Sequence, residues 1–128
     1  MIRIFTTFFL VVFFFNGCAQ KDPEVTISVT QLKKQLQTDS SLVVLDVRTP
    51  AELQSTLGKI DGVINIPLQE LEGRMEELKT YRDNQIAVIC KIGVRSGRAT
   101  ETLNKNGFNA KNVLGGMTEY RAFDNDNN

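Results

Sequence analysis

A chain of 128 residues, 41% hydrophobic and 23% charged with nine glycines and three prolines, has the profile of one globular domain. Its fifteen basic residues offset its fifteen acidic ones, and no basic run or aromatic-interleaved basic patch marks a nucleic-acid partner. Histidine is absent, which excludes Ser-His-Asp and Cys-His nucleophile pairs, the HExxH zinc site and imidazole bases; two cysteines make no CxxC pair, cysteine-rich metal site or disulfide framework, so neither metal nor cofactor is expected.

Met1 to Gly17 reads as a signal peptide: Arg3 supplies a positive start, and Ile4 to Phe15 is an apolar run too short to span a bilayer comfortably as a mature helix. The Gly17-Cys18 junction resembles the lipobox of bacterial lipoproteins, in which a small residue precedes a cysteine that is lipidated and becomes the new N-terminus. Phe15 and Asn16 depart from that pattern, which usually has an aliphatic and a small residue there. An ordinary signal peptide with Cys18 as a bystander, or an uncleaved anchor, is the competing reading. The resemblance implies lipidation at Cys18, a tether over residues 18–24 containing Pro23, and an extracytoplasmic domain held at a bacterial membrane. Cleavage removes one basic and no acidic residue, so the mature chain stays nearly neutral.

From Val25 strands and helices alternate. Val25 to Ile27 is a short strand, Ser28 and Gln31 form a capping box that starts a helix at Val29, and Thr38 to Ser41 ends it. Leu42 to Val47, apolar but for Asp46, suits a strand covered on both faces. Thr49-Pro50-Ala51-Glu52 is a second capping box with proline at the first helical position. Val63 to Ile66 gives a third strand, stopped by Pro67, and Leu68, Leu71, Met75 and Leu78 recur at helical spacing after it. Ile86 to Cys90 is the fourth strand; the next helix carries Ala99 and Leu103 and stops at Gly107. Val113-Leu114 is a last short strand before Gly115-Gly116, a terminal helix, and a polar tail over 124–128.

This alternation predicts a single α/β domain over 25–123, with a mainly parallel central sheet and helices on both faces. Ligands bind such sheets at the carboxyl ends of the strands. Three polar clusters fall there and should converge: Asp46 with Arg48, Cys90 to Arg95, and Gly115-Gly116.

Cys90 closes an apolar strand and is followed by Lys91, Gly93, Arg95 and the start of an amphipathic helix. That places a thiol beside backbone N–H groups at a helix N-terminus, with two cations close in sequence, all of which push it towards thiolate. An isolated cysteine ending a buried strand is ordinarily a small hydrophobe. The glycine three residues on and the nearby cations favour a reactive thiol. Asp46 and Arg48 read as an ion pair at the sheet edge, and Lys91 either as a solvated side chain or as a contact for an anionic donor.

In this order, Asp46-Val47-Arg48, Gly58 to Pro67, Cys90-Lys91-Ile92-Gly93-Val94-Arg95-Ser96 and Leu114-Gly115-Gly116 resemble a single-domain rhodanese over roughly Val25 to Phe123. The resemblance implies that Cys90 is the catalytic nucleophile of a thiosulfate sulfurtransferase-like enzyme, taking sulfane sulfur from a donor as a persulfide and passing it to a thiol or other thiophilic acceptor. Lys91, Ile92, Gly93, Val94 and Arg95 would form the substrate-binding loop, with Asp46, Arg48 and Ser96 in support. Donor and acceptor would be small molecules or proteins, and the chain a monomer.

Lys59 stands where the family commonly has histidine, and Tyr120 where it commonly has tryptophan, giving the expected cover over the site a polar tip. Cysteine phosphatases of the same fold place one residue more between Cys and Arg than the four here, and the smaller ring suits sulfur. A non-catalytic sulfur carrier or partner-binding module is the other alternative.

Overall fold

The computed structural model describes residues 25–127. The expected leader, the lipidation expected at Cys18 and the tether lie outside the described residues. Within them, strands β1 (Thr26–Ile27), β2 (Val43–Asp46), β3 (Ile64–Asn65), β4 (Gln85–Ile89) and β5 (Asn109–Val113) form one parallel sheet in the order β1-β5-β4-β2-β3.

Local chemistry sets the helix starts. Helix α1 (Val29–Thr38) begins at a reciprocal capping box, with the Gln31 amide donating to Ser28 Oγ and the Ser28 amide to Gln31 Oε1. Helix α2 (Pro50–Leu53) repeats the device with Thr49 and Glu52 and has proline in its first turn.

Side chains of β4 point alternately to the two faces. Ile86, Val88 and Cys90 enter a core with Leu71 and Leu78 on one side and with Ala99 and Leu103 of α4 (Val94–Lys105); Ala87 and Ile89 enter a second with Val29 and Leu32 of α1 and Met117 of α5 (Gly116–Asp126). Helices therefore cover both faces, and burying a side chain such as Leu32 or Leu103 contributes about 1.5–3 kcal/mol.

Three elements differ from the sequence reading. The single helix expected after Pro67 is a 3-10 turn (Leu68–Glu70), one α-turn α3 (Leu71–Arg74) and a 3-10 segment (Met75–Tyr81). Met75, Leu78 and Tyr81 recur every third residue, the repeat at which 3-10 side chains eclipse, and all three pack on the first core. Strand β5 starts four residues before the expected Val113, while Leu114 is exposed and outside the strand. The last helix runs on to Asp126, three residues into the stretch read as a tail, and Lys33 of α1 donates to Asp124 there.

Candidate active site

Strands β5, β4 and β2 are neighbours, so their carboxyl ends bring Gly115-Gly116, Cys90 and Asp46 to one edge of the sheet, as the sequence suggested. Cys90 follows β4 directly and is only 1% exposed. After it the chain turns through Gly93, whose φ of 102° lies in the left-handed region, and enters α4. That turn aims the Gly93 N–H at Cys90 Sγ, 3.1 Å away, and the first turn of α4 brings Ser96 Oγ to within 3.2 Å of the same sulfur.

The other side of the loop faces α5. Met117 N–H donates to the Cys90 carbonyl (2.8 Å) and Thr118 N–H to that of Lys91 (3.0 Å), so the free amides at the start of α5 hold the loop's carbonyls away from the sulfur. Gly116 makes this contact possible: a Cβ there would lie 2.5 Å from the Cys90 carbonyl oxygen.

Burial pushes the Cys90 thiol towards its neutral form. The Ser96 hydroxyl and the amides of Ser96, Gly93 and Ile92 oppose it and prevail, so the thiol's pKa lies below its ordinary value. The two cations nearby in sequence have other partners or face solvent. Arg95 donates through Nη1 and Nη2 to both carboxylate oxygens of Glu52, at 2.8 and 2.7 Å, and holds that carboxyl down at about 2. Lys91 is exposed at the rim, beside a cleft that Ser55, Thr56, Leu57 and Thr118 line with it. The hydrogen bonds to the sulfur thus come from neutral donors, while the Arg95 charge and a negative Cys90 favour each other through space.

Asp46 and Arg48 form the expected ion pair, at 2.7 Å, at the carboxyl end of β2. Both are essentially buried, 0% and 1% exposed, on β2 between β3 and β4 and just beyond its end. Arg48 donates to both oxygens of Asp46 and to the carbonyls of Glu52 and Gly58, tying α2 and the loop after it to the sheet. Asn65 donates from β3 to the carbonyls of Asp46 and Arg48. In the structure the pair is a buried clamp between β2, β3 and the α2 segment.

Tyr120 does not cover the thiol. It packs on the second core with Lys33 Nζ 3.7 Å above its ring, on the α1 side of the sheet. Lys59 is exposed, and its carbonyl accepts from Arg121. Ile92 and Val94 are exposed on the loop rim at 59% and 58%. No cluster of metal-ligating side chains occurs among the described residues.

Two residues of the site escaped the sequence reading. Glu52 was legible as a capping residue but not as the partner of Arg95, and Asn112 of β5 accepts from the Ser96 hydroxyl at 2.6 Å. The cue to Asn112 is the alternation Ala110, Asn112 in a strand, which puts a polar side chain at an inward position.

Comparison with known proteins is consistent with this geometry. The family model described as Rhodanese-like domain matches residues 28–123. YrkF of Bacillus subtilis, named as a sulfur carrier protein, is 39% identical over 95 residues, which are 73% of this chain and 49% of YrkF; the chain thus spans about half of that relative. Thiosulfate sulfurtransferase PspE of Escherichia coli is 32% identical over 75 residues, 59% of this chain and 70% of PspE. A rhodanese-related protein of Thermoplasma volcanium superposes with a TM-score of 0.68 at 37% identity, covering 77% of this chain and 91% of that one.

Proposed function

The chain belongs to the rhodanese-like family, and from that premise we propose that it is a sulfurtransferase in which Cys90 carries sulfane sulfur as a persulfide. The observation that supports this most is the convergence of the Gly93 amide and the Ser96 hydroxyl on one buried sulfur. With thiosulfate as donor, the Cys90 thiolate attacks the outer sulfur. A Sγ–S bond forms, the donor's S–S bond breaks, and the electron pair leaves with sulfite. The negative charge then rests on the outer persulfide sulfur. A thiophilic acceptor attacks that sulfur, and Cys90 is released as thiolate. Lys91, exposed at the rim, meets the anionic group of the donor.

Steady-state transfer of sulfur from thiosulfate to cyanide is the test. Multiple turnovers support an enzyme, whereas uptake of at most one sulfur per chain points to a carrier instead.

We also propose that Cys18 is lipidated after cleavage at Gly17, that the domain works as a monomer, and that it stands outside the cytoplasm on residues 18–24. Mass spectrometry of the mature N-terminus should show an acylated Cys18. An unmodified cysteine or a chain starting elsewhere contradicts the anchor, and light scattering of the delipidated protein at twice the chain mass contradicts the monomer.

A further inference from the structure

Ser96 has one hydroxyl hydrogen and two acceptors within reach of it. Asn112 Oδ1 lies 2.6 Å from Ser96 Oγ, and Cys90 Sγ lies 3.2 Å away on the other side. The orientation of the Asn112 amide is set independently: its Nδ2 donates to the Gly93 carbonyl at 3.1 Å, which leaves Oδ1 facing Ser96. Gly93 in turn gives its N–H to the sulfur. The bonds close a ring through Cys90, Ser96, Asn112 and Gly93, and all but Gly93 are buried.

We propose that Asn112 is a positioning residue that competes with Cys90 for the hydroxyl hydrogen of Ser96 and so opposes ionisation of the thiol. In the thiol state every group has a partner. Cys90 S–H donates to Ser96 Oγ, and Ser96 donates to Asn112. When the thiol gives its proton to solvent, the thiolate and the buried Asn112 oxygen compete for the one hydrogen, and whichever loses it is left short of a donor. Once the sulfur becomes the inner atom of a persulfide, its charge has moved outward and the Ser96 hydrogen returns to Asn112. Asn112 therefore restrains the free thiolate and favours the loaded state.

The charged groups facing Cys90 are otherwise engaged or solvated. From α4, Arg95 is bound to Glu52 of α2 and Arg98 is exposed; from β2, Asp46 is bound to Arg48. On the loop Lys91 is exposed, and the exposed Glu119 of α5 lies over Gly115. On the 3-10 turn, Glu70 pairs with Arg74.

This inference rests on Cys90 being the reactive thiol, but its test needs no sulfur transfer, so the two fail separately. The full chain is alkylated with iodoacetamide across a pH series, and the rate is read on the Cys90 peptide by mass spectrometry, which separates it from Cys18. Asn112→Leu, which removes the competing acceptor at similar volume, should lower the pH midpoint of alkylation by about one unit. In a Ser96→Ala background the same substitution should shift the midpoint by much less, because the Asn112 acceptor acts through Ser96 and only the Nδ2 contact to the Gly93 carbonyl is then lost. A midpoint unchanged or raised by Asn112→Leu, or an equal fall in the Ser96→Ala background, overturns the proposal. Should Asn112→Leu fail to fold by circular dichroism, Asn112→Ala removes the same acceptor without bulk, and the same outcomes decide.

Discussion

Arg95 turns both terminal nitrogens, at 2.8 and 2.7 Å, onto the carboxylate of Glu52, a residue 43 positions earlier that also closes the capping box of α2. The cation is thereby committed to fixing α4 against α2. The sulfur takes its hydrogen bonds from the Ser96 hydroxyl and the loop amides, with the Arg95 charge acting on it through space.

The division of labour has a direct consequence for ionisation. Ser96→Ala should raise the alkylation midpoint of Cys90 by about one pH unit, since it deletes a hydrogen bond to the charged form. Arg95→Gln should move it by less than about 0.3 units, because the Arg95 charge is already offset by Glu52. A larger effect at Arg95 than at Ser96 would restore the cation to the leading role.

Glu52 links the site to pH. Its carboxyl is lowered from 4.5 to about 2, first by Arg95, so its contribution to stability is complete above pH 4.5 and is lost as the pH falls towards 2. Glu52→Gln keeps an acceptor for the capping box but not the charge. Urea unfolding should find it less stable than the parent by about 1 kcal/mol at pH 6, the pair being one-third exposed and screened, with the gap closing below pH 4.5. A gap constant between pH 6 and pH 3 contradicts this.

Gly116 is set between the loop and α5 with φ 57°, and a methyl group there would press on the Cys90 and Lys91 carbonyls at 2.5 and 2.6 Å. Gly116→Ala should cost about 2 kcal/mol or more of stability from backbone strain and lost loop contacts. Sulfur transfer should fall at least about tenfold as the amide ring loosens, even at temperatures where the variant remains folded. Thermal melts paired with turnover measure both, and a variant equal to the parent in both contradicts the packing described.

How much of this was legible in the sequence depended on the range of the interaction. Ser28-x-x-Gln31 and Thr49-x-x-Glu52 are local signals, and the helices start where they say. The Cys90 loop was legible for the same reason: strand, glycine turn and helix start are consecutive. Strand β5 was not, because Asn109-Ala-Lys-Asn-Val has little intrinsic strand character and is held by ladders to β1 and β4 on its two sides. Tyr120 was misplaced, and the Glu52 partner of Arg95 missed, because their sequence neighbourhood does not say which helix they face. Asn112 reaches Ser96 only through the register that sets it opposite Val88. The segment after Pro67 shows apolar recurrence that both an α-helix and a 3-10 helix satisfy in part, and Gly73 weakens the former.

The buried pair of Asp46 and Arg48 carries a test of its supporting role. Arg48→Met should destabilise the fold by about 3–5 kcal/mol in urea unfolding by leaving a buried carboxylate unpaired, and Asp46→Leu in the same chain should recover most of that loss. If the double variant also transfers sulfur at a rate within about tenfold of the parent, the pair is a clamp and not part of the chemistry. Full stability with no transfer would assign it a chemical role.

The most direct measurement is the mass of the Cys90 peptide after incubation with thiosulfate and removal of the excess. The parent chain should gain about 32 Da, one sulfur, at Cys90, lose it on addition of cyanide, and gain nothing in Cys90→Ser. A Cys90 peptide of unchanged mass, or a sulfur that still appears in Cys90→Ser, would contradict the persulfide at this residue.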